Sequence, residues 1–188
     1  MLEYLQVLKK RLQERLDREE QQLQEIIQAL RESWDHELIP FADRIEKSKN
    51  VNEKDTKRTV LMLASLAWYA EIVELFLSHP KIDVNTKNTD GNTALMEASP
   101  QGYSKIIELL LARPEIKVNT KNKDGYTAFI RASFWGHTEI VELFLVDPRL
   151  DLSLHDQWNN AIKQAQDHPH IQKLIRTKMR EKGIPITA

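Results

Sequence analysis

The stretch Asn85-Thr-Lys-Asn-Thr-Asp-Gly-Asn-Thr-Ala-Leu-Met-Glu-Ala-Ser99 returns 34 positions later as Asn119-Thr-Lys-Asn-Lys-Asp-Gly-Tyr-Thr-Ala-Phe-Ile-Arg-Ala-Ser133. Ile72-Val-Glu-Leu-Phe-Leu77, Ile106-Ile-Glu-Leu-Leu-Leu111 and Ile140-Val-Glu-Leu-Phe-Leu145 keep the same interval, as do Pro80, Pro114 and Pro148. Self-similarity at a fixed period of this size predicts a solenoid of stacked units. Each unit reads as a polar turn, a short helix, a second turn at Gly102 or Gly136, a longer helix and a proline-marked exit. One such unit cannot bury its own apolar face, so the core has to form between neighbours.

Two clear units occupy 85–118 and 119–152, and a degenerate one precedes them at 51–84. In it Val51-Asn52, Thr59, Leu61, Ala64-Ser65 and the run from Glu71 to Leu77 fall into register, but Lys57 stands where the others have Gly91 and Gly125. Trp68 also replaces the inter-helix turn glycine. A bulky residue at positive φ is costly, which predicts a reshaped turn there. A shortened last unit covers 153–188, starting near Leu152, with Ala161-Ile162, Ala165 and Ile171 to Ile175 in the helix positions; lacking a turn glycine, it reads as a terminal cap with a polar outer face.

Residues 1–50 fall outside the repeat. From Leu2 to about Trp34 there is no Gly or Pro, and the Leu, Gln, Glu, Lys and Arg content predicts a long helix. Its apolar stripe runs through Leu5, Leu8, Leu12 and Leu16, then Leu23, Ile26, Ile27, Leu30 and Trp34, interrupted by Arg15, Glu19 and Gln22. An unbroken heptad seam is therefore not sustained. Two arrangements satisfy the stripe: an imperfect coiled coil that makes a homodimer through residues 1–35, or packing on the degenerate first unit. The second is preferred, because that unit otherwise leaves an apolar flank in water. Pro40 ends the pattern, and a short helix from about Phe41 to Lys47 leads into Val51.

Composition removes several function classes. Lys and Arg number 27 against 28 Asp and Glu, a net charge of -1, which lacks the basic footprint of non-specific nucleic-acid binding. The Lys9-Lys-Arg11 cluster, interspersed with Leu and followed by acids, reads as a solvated helix face. Cysteine is absent, excluding disulfides, thiolate metal sites and a cysteine nucleophile. No apolar run reaches the length of a membrane span and no signal-peptide core opens the chain, so the expectation is a cytoplasmic protein; delivery by a route needing no cleaved signal is compatible with the same sequence. His79, His137, His155, His168 and His170 are scattered without ligand spacing, and no phosphate loop, nucleophile elbow or His-Glu-x-x-His is found. No enzyme activity, metal or cofactor is predicted.

The pattern Asn-x5-Gly-x-Thr-Ala-Leu at Asn85 to Leu95, its echo from Asn119 to Phe129, and Gly-His-Thr-Glu-Ile-Val-Glu-Leu from Gly136 to Leu143 resemble the ankyrin repeat family. Thr-Ala-Leu-Met96 and Thr-Ala-Phe-Ile130 replace that family's usual Thr-Pro-Leu-His. The resemblance implies an all-α solenoid with short hairpin-like turns. It also implies a concave surface, formed by hairpin tips and the outer side of each first helix, that binds a partner protein. By register that surface carries Lys87, Thr89, Asp90, Asn92, Glu97, Pro100 and Gln101 in one unit, and Lys121, Lys123, Asp124, Tyr126, Arg131, Phe134 and Trp135 in the next. The second set is the more aromatic, and Tyr, Trp and Arg dominate interface hot spots. Packing of Phe134 and Trp135 on a neighbouring turn, as at Leu66 and Ala67, is the competing expectation. His137 sits where the family often has a histidine bonded to the inter-helix turn. Relatives of this kind can be hydroxylated at the Asn that ends Leu-x5-Asp-Val-Asn, a spelling met by Leu77 to Asn85, though a purely structural Asn85 is the preferred reading. The resulting expectation is a scaffold for protein binding; the alternatives are an oligomerising adaptor built on the N-terminal helix, and an effector or inhibitor that docks on an enzyme.

Overall fold

Helices succeed one another with no strand between them among the residues described by the computed structural model, 2–32, 39–52, 59–151 and 161–184. A long α1 (Leu2–Glu32) and α2 (Ile39–Ser48) precede three pairs: α3 (Val60–Leu66) with α4 (Ala70–Ser78), α5 (Ala94–Ala98) with α6 (Ser104–Leu111), and α7 (Ala128–Phe134) with α8 (Thr138–Val146). A 3-10 turn, Ser99–Gln101, extends α5. Beyond them lie a helical turn at 161–164 and α9 (Pro169–Glu181). Trp34, Lys57, Leu152 and His155 lie outside the described residues, as do the side chains of Leu5, Leu8 and Leu12.

Threonine starts each first helix of a pair, and serine closes it. Thr59, Thr93 and Thr127 are buried N-caps whose hydroxyls accept from the amides of Met62, Met96 and Ile130. Each satisfies one of the donors that a helix start leaves open. The Ser65, Ser99 and Ser133 hydroxyls donate back to the carbonyls of Leu61, Leu95 and Phe129 at 2.6, 2.7 and 2.9 Å. Because these polar groups are satisfied locally, the first helices can be buried almost all round.

First helices stack on first helices, α3 on α5 on α7, and second helices on second helices, α4 on α6 on α8 on α9. The layers meet in one continuous core through Ile72, Val73 and Phe76, Ile106, Ile107 and Leu110, Ile140, Val141 and Phe144, and Ile171, Ile175 and Met179. Within it Phe129 and Phe144 lie edge to face, 6.1 Å between ring centres.

Asparagine ties the start of each unit to its end. The Nδ2 groups of Asn52, Asn85 and Asn119 donate to the carbonyls of Lys81, Glu115 and Arg149 at 2.7–2.8 Å, and their Oδ1 atoms accept from the amides of Asp83, Lys117 and Asp151. The tips are linked as well, by the Lys123 amide donating to the Asp90 carbonyl at 3.0 Å.

The described side chains of α1 change surroundings along the helix. Leu23, Ile26, Ile27 and Leu30 are buried where α1 lies against α2 and α4, and α2 contributes Phe41, Ala42 and Ile45. Burying a side chain of this size stabilises by about 1.5–3 kcal/mol, so the contact is substantial. Glu19 marks the edge of the docked half: it is ion-paired to Lys81 at 2.6 Å and to Arg15 at 3.2 Å, and these cations hold its carboxyl below the usual range. One turn earlier, Leu16 is exposed.

The turn at Trp68 departs from expectation. It is not reshaped: Trp68 takes φ +67°, beside +79° and +78° at Gly102 and Gly136, and the Ala70 amide donates to its carbonyl at 3.1 Å as the Ser104 and Thr138 amides do at those glycines. The left-handed conformation costs an L-residue roughly 1–2 kcal/mol. Face-to-face stacking of the indole on Tyr103, with ring centres 5.6 Å apart, supplies about 0.5–1.5 kcal/mol in return.

Candidate partner-binding surface

Glu97 and Arg131 occupy the same slot of successive pairs, on α5 and α7, and the slot is finished in one and open in the other. In the first, Asn88 folds over its own turn, its Oδ1 accepting from the amides of Asp90 and Asn92 at 2.9 and 2.8 Å. Asn88 and Asn92 then donate their side-chain amides to Glu97 Oε1 at 3.0 and 3.1 Å. Glu97 is thereby buried at 6% exposure with its carboxylate engaged inside its own unit. Register predicts an outer-surface position for it; hydrogen bonds from two asparagines draw it under the tip instead.

The next pair repeats the turn, with Asn122 Oδ1 accepting from the amides of Asp124 and Tyr126 at 3.1 and 2.8 Å. Here Tyr126 replaces Asn92, and Asn122 turns its amide to Asn92 Oδ1 of the preceding tip at 2.9 Å. Arg131 inherits the slot without inheriting its partners. Its Nη1 is buried and has no hydrogen-bond partner among the described residues. Burial draws the guanidinium below the usual arginine range, opposed by the charge of Glu97; an arginine stays protonated regardless.

Arg131 lines a hollow of about 200 Å³ together with Tyr126, Ile130, Phe134, Trp135 and Gln164. Phe134 and Trp135 end α7 and stand 49% and 56% exposed, their rings edge to face at 5.5 Å. Tyr126 is half-buried at the foot of the tip. Ile130 and Gln164 were not anticipated. The signal for Gln164 was present, since Ala161 and Ala165 follow Ala128 and Ala132 at 33 positions and set Gln164 in the slot of Arg131.

The other register positions stay apart from this hollow. Lys87 is exposed and donates from Nζ to the Lys121 carbonyl at 3.0 Å, and Asp90, Thr89, Gln101, Lys121, Lys123 and Asp124 are exposed. Pro100 lends its carbonyl to His137 Nε2 at 2.8 Å, the turn bond anticipated for that histidine; His168 makes the matching bond to the Phe134 carbonyl at 3.2 Å. Asn85 has both ends of its side chain committed to the backbone at the end of its own unit, at Glu115 and Lys117. Among the described residues no cluster of His, Asp or Glu is grouped to hold a metal ion, and no helix is long and apolar enough to cross a membrane.

A family model described as ankyrin repeats (3 copies) matches residues 25–122 and again 90–156, so the matched span takes in most of the chain. The first match begins inside the docked half of α1. Comparison with curated proteins finds no match.

Proposed function

The chain belongs to the ankyrin repeat family, whose stacks are general protein-interaction modules, and from that premise we propose that it binds a partner protein through the surface centred on Tyr126, Arg131 and Trp135. One observation carries the reading: two large aromatic rings, half-exposed, line one hollow with Arg131, whose buried Nη1 has no hydrogen-bond partner among the described residues. Aromatic and arginine side chains at a hollow are the usual anchors of interface energy, and exposed rings of this size contribute little to the core. In this reading residues 1–50 form a helical N-terminal segment, 51–84, 85–118 and 119–152 are the repeats, and 153–188 is the cap. The family is generally non-enzymatic, and the role is to dock and scaffold. To test it, Trp135→Ala and Tyr126→Ala are assayed for affinity toward a partner recovered by pull-down. A loss of tenfold or more with an unchanged unfolding midpoint supports the reading, and unchanged affinity for both variants overturns it.

A second reading draws on Leu16, which is 55% exposed on the undocked part of α1. There the helix pairs two copies of the chain through residues 1–35. Solution mass over a hundredfold range of concentration separates the two, since a monomer throughout removes the dimer.

A further inference from the structure

We propose that the hollow beside Arg131 is a receptor for a single carboxylate, the side chain of a glutamate or aspartate borne on a partner segment whose adjacent residue is apolar. The inference rests on the interaction surface proposed above and specifies its chemistry.

The preceding pair supplies the pattern. At the equivalent slot the polar groups are closed by a carboxylate, Glu97, which takes both asparagine amides. Tyr126 and Arg131 replace Asn92 and Glu97 in the next pair, so the acid is missing and a cation stands in its place. A buried donor without an acceptor is costly, and among the described residues Arg131 Nη1 has none. Nη1 itself is closed to solvent; a carboxylate in the hollow meets Arg131 where it lines the wall, and a planar guanidinium suits a charge-assisted hydrogen bond.

Charge favours a carboxylate over a phosphate. A hollow of about 200 Å³ has room for one acidic side chain. Arg131 is the one cation among the described lining residues and Glu97 already draws on it, so a single negative charge is met better than two. A phosphate dianion would bring a second charge with no cation on the lining to meet it. Phe134 and Trp135 form the exposed rim, and covering them requires apolar surface next to the acid.

The test selects a phage-displayed random dodecapeptide library on the full chain, then measures the enriched sequences as acetylated, amidated peptides by Trp fluorescence and calorimetry. The expected result is one fixed Glu or Asp next to an apolar residue. Replacing that acid by its amide costs at least tenfold in affinity. Arg131→Gln costs a similar factor, and combining the two changes costs little more than either alone. Arg131→Lys, which keeps the charge and loses the fork, recovers part of the loss. Should Arg131→Gln fail to fold, the acid-to-amide comparison on the unmodified chain decides alone.

Peptides that lose affinity on Trp135→Ala but bind Arg131→Gln unchanged overturn the carboxylate receptor and leave the interaction surface standing. Indifference to Trp135→Ala, Tyr126→Ala and Arg131→Gln together overturns both. A phosphoserine peptide that binds tighter than its glutamate counterpart, or a selection that enriches no acidic sequence, also overturns the carboxylate assignment.

Discussion

Gly102 and Gly125 have nearly the same backbone and different neighbours, so alanine at each separates strain from contact. Their φ values are +79° and +81°, and a left-handed alanine costs roughly 1–2 kcal/mol at either. A Cβ at Gly125 meets nothing within 4 Å. At Gly102 it falls 2.9 Å from Cε1 and Nδ1 of His137, whose ring donates to the Pro100 carbonyl. The ring has to move, and the bond, worth about 0.5–1.5 kcal/mol net, goes with it. Gly125→Ala should therefore destabilise by about 1–2 kcal/mol and Gly102→Ala by about 2–3 kcal/mol. His137→Ala alone should cost about 1 kcal/mol. The double variant Gly102→Ala with His137→Ala should cost less than the sum of the singles by about 1 kcal/mol, because the clash is gone and the bond is lost only once. Urea unfolding followed by circular dichroism, with equal slopes required across the set, gives all four values. If Gly102→Ala proves no more costly than Gly125→Ala, or the two changes at Gly102 and His137 simply add, the histidine is a bystander.

Other outcomes follow from the same geometry. Ile26→Ala, at a fully buried site, should destabilise by about 2–4 kcal/mol, whereas Leu16→Ala should stay within about 0.5 kcal/mol, both by urea unfolding of a monomeric sample. His79 is buried, its Nδ1 accepts from the Lys81 amide at 3.2 Å, and burial pushes its pKa below the ordinary histidine value. The unfolded chain then takes up the proton first, so stability is complete above about pH 6.5 and falls as pH drops below it, and His79→Gln should flatten that part of the profile. Arg131→Met should raise stability by about 1 kcal/mol, since it removes a buried unsatisfied donor; a fall in the unfolding midpoint would mean that the guanidinium is satisfied in solution.

Legibility followed locality. The polar turns and the apolar second helices could be read because each depends on residues within a turn or two of itself. Trp68 misled because a one-residue rule against positive φ ignored Tyr103, a ring in the following unit that stacks on the indole. Glu97 misled for a related reason. Helix register put it on an outer face, but Asn88 and Asn92 reach it from the tip, and the repeat alone does not distinguish an exposed acid from one held from above. The N-terminal helix was readable as a helix, while the point at which it leaves the stack was set by partners elsewhere in the chain, α4 and Lys81. At the candidate surface, subtracting one repeat from the other brought out Tyr126, Arg131, Phe134 and Trp135. Gln164 was hidden by a one-residue slip in the period.

Asn52, Asn85 and Asn119 each close their own unit, start to end, with the same two bonds to its backbone, so the closure does not depend on which unit comes next. Such a fastening makes the units exchangeable parts. A second copy of 85–118 inserted after residue 118 would find at both ends a partner already shaped to receive it, and length becomes a quantity the protein can change without redesign. What cannot be copied freely is the open slot at Arg131, which exists because one unit differs from its template.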